Sequence, residues 1–109
     1  MYEYGESNQQ YHVPIHERTY TMERTIYTIT DENGIHARPA GVIVSAAKKF
    51  RAEIGISVCG TDRTADAKKL FSVMGLGVQK GERLLITANG TDADEAIACL
   101  EAEMRRAGL

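Results

Sequence analysis

The chain is poor in several residue types, and each shortage excludes a class of protein. Its 109 residues include no tryptophan, two prolines and two cysteines, and no apolar run approaches the roughly 18 residues of a membrane-spanning helix. Cys59 and Cys99 lack the spacing of metal ligands, so two free thiols are expected rather than a disulfide. The net charge of -2 provides no broad basic field, which argues against nucleic-acid binding.

The chain has 43% hydrophobic and 26% charged residues, which together with its length fits one small domain. Residues 1–22 differ from the rest, since they hold four of the five tyrosines and show no clear periodicity. They predict a flexible N-terminal extension, followed by a domain over residues 23–109. The acidic start lacks the basic region and apolar core of a signal peptide, so a cytoplasmic protein is expected.

The extension has two further features. Met22 is a candidate internal start site, because the domain pattern begins just after it. His12 and His16 are four residues apart, a spacing that could hold a metal on a helix. Pro14 lies between them and disfavours that helix, and no third ligand is evident, so no metal site is expected.

The stretch from Asn33 to Phe50 predicts a turn, a histidine and a helix in succession. Pro39 suits the first helical turn, and Lys48 and Lys49 are expected in the last one. Apolar residues with a period close to 3.6 recur at Ala40, Ile43 (or Val44), Ala47 and Phe50. The pattern therefore places His36 at or just before a helix N-terminus, with Arg38 two residues later.

This arrangement has a possible chemical use. A helix N-terminus offers unpaired N–H groups to an anion, and Arg38 adds a cation that could pair with the same anion. His36 could accept a phosphoryl group on a ring nitrogen there. The alternative is an ordinary surface histidine near a helix cap, and these residues alone leave both interpretations open.

The remaining elements alternate along the chain. Strands are predicted at residues 24–30, 51–58, 63–67 and 83–89, and helices at 69–75 and 92–107. The residues from Thr91 to Asp94 resemble a capping box for the last helix. That helix places five residues on one apolar face: Ala93, Ala96, Ile97, Leu100 and Met104. Four strands with one apolar face and three helices to cover it predict a two-layer α+β sandwich.

Two motifs resemble those of one family. Gly34-Ile35-His36-Ala37-Arg38-Pro39-Ala40 is similar to the phosphohistidine signature of the HPr family, the small phosphocarriers of the bacterial phosphotransferase system. The segment from Lys68 to Val78 resembles the second motif of that family, and the likeness covers roughly residues 24–107. It implies an open-faced sandwich with a four-stranded antiparallel sheet in the order 1-4-2-3.

The resemblance also implies a function. His36 would take a phosphoryl group on Nδ1 from phosphoenolpyruvate through enzyme I, and pass it to enzyme IIA domains for sugar uptake. Arg38 would stabilise that group. Such a protein is a stoichiometric carrier rather than an enzyme, and a monomer without cofactor is expected. Two alternatives stay open: a regulatory HPr-like module whose His36 phosphorylation signals to a protein partner, and an adaptor domain with an inert His36.

Partner docking is expected on the surface beside His36. The resemblance assigns to it Val44, Lys69, Leu70, Phe71, Met74 and Gly77, although Met74 and Val73 could instead belong to the core. Many Gram-positive relatives carry a kinase-regulated serine after the lysine of the second motif. The residue there is Lys69, and Ser72 is out of register, so no serine switch is expected. A lysine would instead strengthen attraction to an acidic partner.

Overall fold

The computed structural model describes residues 19–109, so most of the predicted extension, including His12 and His16, lies outside the described residues. The elements are β1 (Thr21–Thr28), α1 (Ala37–Ala47), β2 (Glu53–Val58), β3 (Thr64–Asp66), α2 (Leu70–Met74), β4 (Arg83–Gly90) and α3 (Ala93–Arg106). This order of strands and helices confirms the predicted one. The first strand begins earlier than predicted, because Thr21 and Met22 pair with Gly90 and Asn89.

The four strands form one antiparallel sheet in the order β1-β4-β2-β3, which confirms the expected 1-4-2-3 topology. Alternate side chains of a strand point to opposite faces. The buried apolar side chains of β2 and β4 are those of Ile54, Ile56, Val58, Leu84, Ile86 and Ala88. The intervening residues, among them Ser57 and Thr87, are only partly buried. The sheet therefore has one face in the core and one open face.

The helices supply the other side of the core. All five residues predicted for the apolar face of α3 are buried, and α1 buries Ala40, Ile43, Val44 and Ala47. Phe50 packs against this core and is partly buried. The last turn of α1 contains no basic residue, because the helix ends at Ala47 and Lys48 is its C-cap, which corrects the expected place of the two lysines. Within residues 19–109, no helix has the length and hydropathy to cross a bilayer.

The predicted capping box at the start of α3 is wrong. Asp92 is the N-cap residue, but its side chain makes no capping hydrogen bond. Asp92 is 3% exposed, and its carboxylate accepts the N–H groups of Arg51 at 2.8 Å and Ala52 at 2.9 Å. Backbone donors that become buried need acceptors, and this tertiary demand outweighs the local motif. Asp92 therefore ties the start of β2 to the start of α3.

Candidate functional site

His36 lies at the N-cap of α1. Its backbone is extended, with φ -97° and ψ -171°, and its carbonyl accepts the Ala40 N–H at 3.0 Å. The side chain makes no capping hydrogen bond and is 45% exposed. The first turn of the helix contains no acidic residue, so no carboxylate of that turn competes for the partial positive charge of the helix end. The predicted position of His36 is confirmed.

The loop before His36 is held tightly. Gly34 has φ +63°, and its N–H donates to the carbonyl of Asp31 at 3.0 Å. The N–H of Ile35 donates to the carbonyl of Val78 at 3.1 Å, and the Ile35 side chain is buried. A Cβ on Gly34 would lie 2.0 Å from the Val78 oxygen, a distance that no side chain tolerates. This contact requires glycine, and it fixes the chain immediately before His36.

Asp31 places a carboxylate beside the histidine. One oxygen, Oδ1, accepts the Asn33 N–H at 2.9 Å, while Oδ2 lies 3.7 Å from His36 Nε2. The Asp31 side chain is 21% exposed. Asp31 was not among the residues expected at the site. An aspartate that opens an Asp-x-Asn-Gly turn is typical of a side chain bonded to the backbone two residues later, and that signal could have identified it.

The histidine borders a cleft of about 640 Å³ between the start of α1 and the end of α3. It is lined by Asp31, His36, Ala37, Arg38, Pro39, Val42, Arg106 and Ala107. Arg38, predicted to lie near His36, is exposed on this cleft. Arg106 reaches it from the end of α3, where its guanidinium donates to Glu103 at 2.9 Å. The cleft thus combines an exposed imidazole with two cations, a combination suited to an anionic group.

The residues of the second motif lie on and around α2. Phe71 is 82% exposed, Leu70 38% and Met74 36%, whereas Val73 is fully buried. We call Leu70, Phe71 and Met74 the α2 surface. Exposed apolar side chains so close together are unusual away from binding sites.

The other residues expected on the docking surface differ in burial. Lys69, the N-cap of α2, and Gly77 are both exposed. Val44 is 7% exposed and belongs to the core, so its expected place on an exposed surface is wrong. The reason is helical spacing: Val44 follows Ala40 by four residues and precedes Ala47 by three, and it shares their buried face.

A polar cluster holds the loop that follows α2. The Arg63 guanidinium donates to the carbonyl of Leu76 at 2.8 Å and forms an ion pair with Glu82. Glu82 also accepts the Gln79 N–H at 2.9 Å. The Gln79 hydrogen bond, followed by the one from Arg63, lowers the pKa of Glu82 below its ordinary value. No sequence signal marked this cluster, because its members come together only in the folded chain.

Residues 19–109 contain neither a metal site nor a serine at the start of α2. No three His, Cys, Asp or Glu side chains in this part of the chain are grouped to hold a metal ion. Ser72 lies inside α2, where its hydroxyl accepts the Asp66 N–H at 3.1 Å. The N-cap position of α2 is occupied by Lys69.

Known proteins are similar to this chain in sequence and fold. A family model for the "PTS HPr component phosphorylation site" matches residues 23–106. The multiphosphoryl transfer protein of Salmonella typhimurium is 39% identical over 75 residues, which are 68% of this chain and 20% of that protein. The chain thus spans about a fifth of the length of the curated relatives it matches.

Solved structures agree with this match. The histidine-containing phosphocarrier protein from Mycoplasma superposes with a TM-score of 0.75 and is 33% identical, over 80% of this chain and 97% of that one. The phosphocarrier protein HPr from Bacillus anthracis gives a TM-score of 0.67 and 35% identity, over 75% of this chain and 95% of that one. The chain therefore belongs to the HPr family, the phosphocarrier proteins of the phosphotransferase system.

Proposed function

We propose that the chain accepts a phosphoryl group from enzyme I on Nδ1 of His36 and passes it to enzyme IIA domains. Phosphoenolpyruvate would be the original phosphoryl donor. The chain would work in the cytoplasm of a bacterium and serve sugar uptake. The observation that carries this proposal is the exposed imidazole at the N-cap of α1, on one cleft with Arg38 and Arg106. The chain would act as a stoichiometric carrier.

The site suits the charge of the product. A phosphoryl group brings between one and two negative charges near neutral pH. At His36 it would meet the unpaired amides of the first turn of α1 and the guanidinium groups of Arg38 and Arg106. Each exposed pairing contributes at most about 1 kcal/mol. The group would therefore be stabilised modestly, which a carrier requires because it must release what it accepts.

The transfer is a displacement at phosphorus. The Nδ1 lone pair of His36 attacks the phosphorus atom, a nitrogen–phosphorus bond forms, and the bond from phosphorus to the donor atom of enzyme I breaks. The second transfer repeats this step, with the nucleophile of the IIA domain attacking and His36 leaving. The 45% exposure of the imidazole allows both partners to reach the same ring nitrogen in turn.

Docking would use the α2 surface. A transient interface of small size needs an apolar centre with polar surroundings. Phe71 supplies the largest exposed apolar side chain of the α2 surface, and Lys69 adds a positive charge at its edge. A partner with an acidic rim would fit this surface. We propose no serine-dependent control here, since Lys69 stands where the regulated serine of other members would be.

The test is phosphoryl transfer from phosphoenolpyruvate with enzyme I, followed by intact mass. We expect an acid-labile gain of one phosphate in the wild-type chain and none in His36→Ala. The His36 side chain is half-exposed, so the variant should fold. Addition of IIA domains should then remove the phosphate. Phosphorylation without transfer to any IIA domain would favour the regulatory module over the carrier.

A further inference from the structure

A carboxylate lies on the opposite side of the histidine ring from the reacting nitrogen. We propose that Asp31 is a positioning residue, which keeps the proton of the neutral His36 imidazole on Nε2 and leaves the Nδ1 lone pair free for the phosphoryl group. This inference rests on the proposed function. It is carried by the 3.7 Å separation between Asp31 Oδ2 and His36 Nε2.

The position of the carboxylate is fixed by the turn that contains it. Oδ1 accepts the Asn33 N–H, and the main-chain oxygen of Asp31 accepts the Gly34 N–H. Gly34 is in turn pressed against the Val78 carbonyl. Oδ2 is thereby directed at the imidazole while Oδ1 is occupied. Asp31 is also the only acidic side chain among the described residues that line the cleft.

The chemistry requires one particular tautomer. A neutral imidazole carries a single N–H, and the nitrogen without hydrogen is the nucleophile. A carboxylate beside Nε2 favours the hydrogen on that nitrogen, as orienting partners of histidine do elsewhere. When Nδ1 gains the phosphoryl group, the donor bond breaks and the proton stays on Nε2. The ring then carries a positive charge, and the Asp31 carboxylate stabilises that charge until the phosphoryl group leaves.

The effect of Asp31 on the tautomer equilibrium should be small. At 3.7 Å the two atoms are too far apart for a direct hydrogen bond, so the carboxylate acts on the Nε2–H group through its charge. Exposed pairs of this kind change equilibria by about two- to fivefold. Asp31 would thus bias the tautomer and the transfer rate without being essential to either.

The test measures the tautomers directly, with ¹⁵N-histidine labelling and long-range proton–nitrogen NMR at about pH 8, where an ordinary imidazole is neutral. Asp31→Asn keeps an oxygen for the Asn33 N–H but removes the charge. Asp31→Ser also keeps an acceptor and shortens the side chain. Glu32→Gln is the matched control, because it removes a charge from the same turn while Glu32 pairs with Lys80 instead.

We expect the ratio of the Nε2–H to the Nδ1–H tautomer to fall about two- to fivefold in both Asp31 variants and to stay unchanged in Glu32→Gln. Phosphorylation by enzyme I should slow by a similar factor. An unchanged ratio in the Asp31 variants, or an equal shift in Glu32→Gln, would overturn the proposal. So would loss of the turn in both Asp31 variants, read from the Gly34 amide signal, since the role would then be structural.

The two proposals fail separately. A wild-type chain that enzyme I does not phosphorylate would contradict the proposed function. The tautomer ratio would still be measurable in that chain, and would still report whether Asp31 positions the ring.

Discussion

The loop that presents His36 and the helix that carries the α2 surface are built in opposite ways. The loop from Asp31 to Ile35 has a glycine pressed against Val78 and a buried isoleucine. In contrast, α2 has five residues, of which one, Val73, is buried. The proposed nucleophile, His36, must be held in one geometry, and rigid supports serve that purpose. The proposed docking surface needs exposed apolar groups, which α2 supplies.

The largest expected effect comes from two glycines with the same backbone conformation. Gly34 and Gly77 both have φ +63°, but a Cβ would overlap the Val78 oxygen at Gly34 and meets nothing within 4 Å at Gly77. We expect Gly34→Ala to lower the free energy of unfolding by about 3 kcal/mol or more, and Gly77→Ala by about 1 kcal/mol. Urea denaturation measures both.

Gly34→Ala should also slow the phosphorylation of His36, whereas Gly77→Ala should affect it through docking alone. Equal losses of stability in the two variants would show that the close approach to Val78 does not constrain the loop. The contrast between a tightly held loop and an exposed helix would then be wrong.

The next effect separates packing from docking within α2. Val73→Ala should cost about 2 kcal/mol of stability, because it leaves a cavity under the helix. Phe71→Ala should change stability by less than about 0.5 kcal/mol, since Phe71 is 82% exposed. If Phe71 anchors the interface with enzyme I, Phe71→Ala should raise the KM of enzyme I for this chain by about tenfold. An unchanged KM would exclude Phe71 from the docking surface.

A smaller effect is expected from the second arginine of the cleft. Arg106→Gln should shorten the lifetime of phosphorylated His36 by about two- to fivefold, because an exposed cation is lost beside the phosphoryl group. Arg105→Gln is the matched control, since Arg105 precedes it on α3 but lies near Tyr27. The rate of phosphate loss, monitored by ³¹P NMR, compares the two variants. Equal lifetimes would remove Arg106 from the site.

The smallest effect concerns pH. The folded chain lowers the pKa of Glu82 below the ordinary 4.5, so its contribution to stability is present above that value and is lost as the pH falls through the lowered pKa. We therefore expect Glu82→Gln to be less stable than wild type at pH 7, with a gap in stability that narrows as the pH falls below 4.5. Thermal unfolding over that range measures it. A gap independent of pH would assign the effect to packing.

Much of this fold follows from periodicity. Ile54, Ile56 and Val58 alternate as a half-buried strand does, and the apolar spacing of α3 identified its buried face. The turn, Pro39 and the helix pattern placed His36 at a helix start, and two motifs supported the family. These features are local, so a single sequence displays them.

What the sequence did not reveal depends on contacts between distant residues. The Asp92 carboxylate accepts hydrogen bonds from residues about 40 positions away, whereas the local motif indicated a helix cap. Arg106 joins His36 across the cleft only after α3 has packed beside α1. Val44 was expected on the docking surface from the family resemblance, whereas its spacing from Ala40 and Ala47 places it on the buried face of α1. Strand β3 has weak strand formers, yet it forms because β2 provides a pairing edge.

The most direct test of the central claim is the mass of the chain after incubation with phosphoenolpyruvate and the enzyme I of its own organism. A gain of one acid-labile phosphate, absent from His36→Ala and retained at a reduced rate in Asp31→Asn, is the predicted result. No gain, with the same enzyme I active on another HPr, would contradict the account.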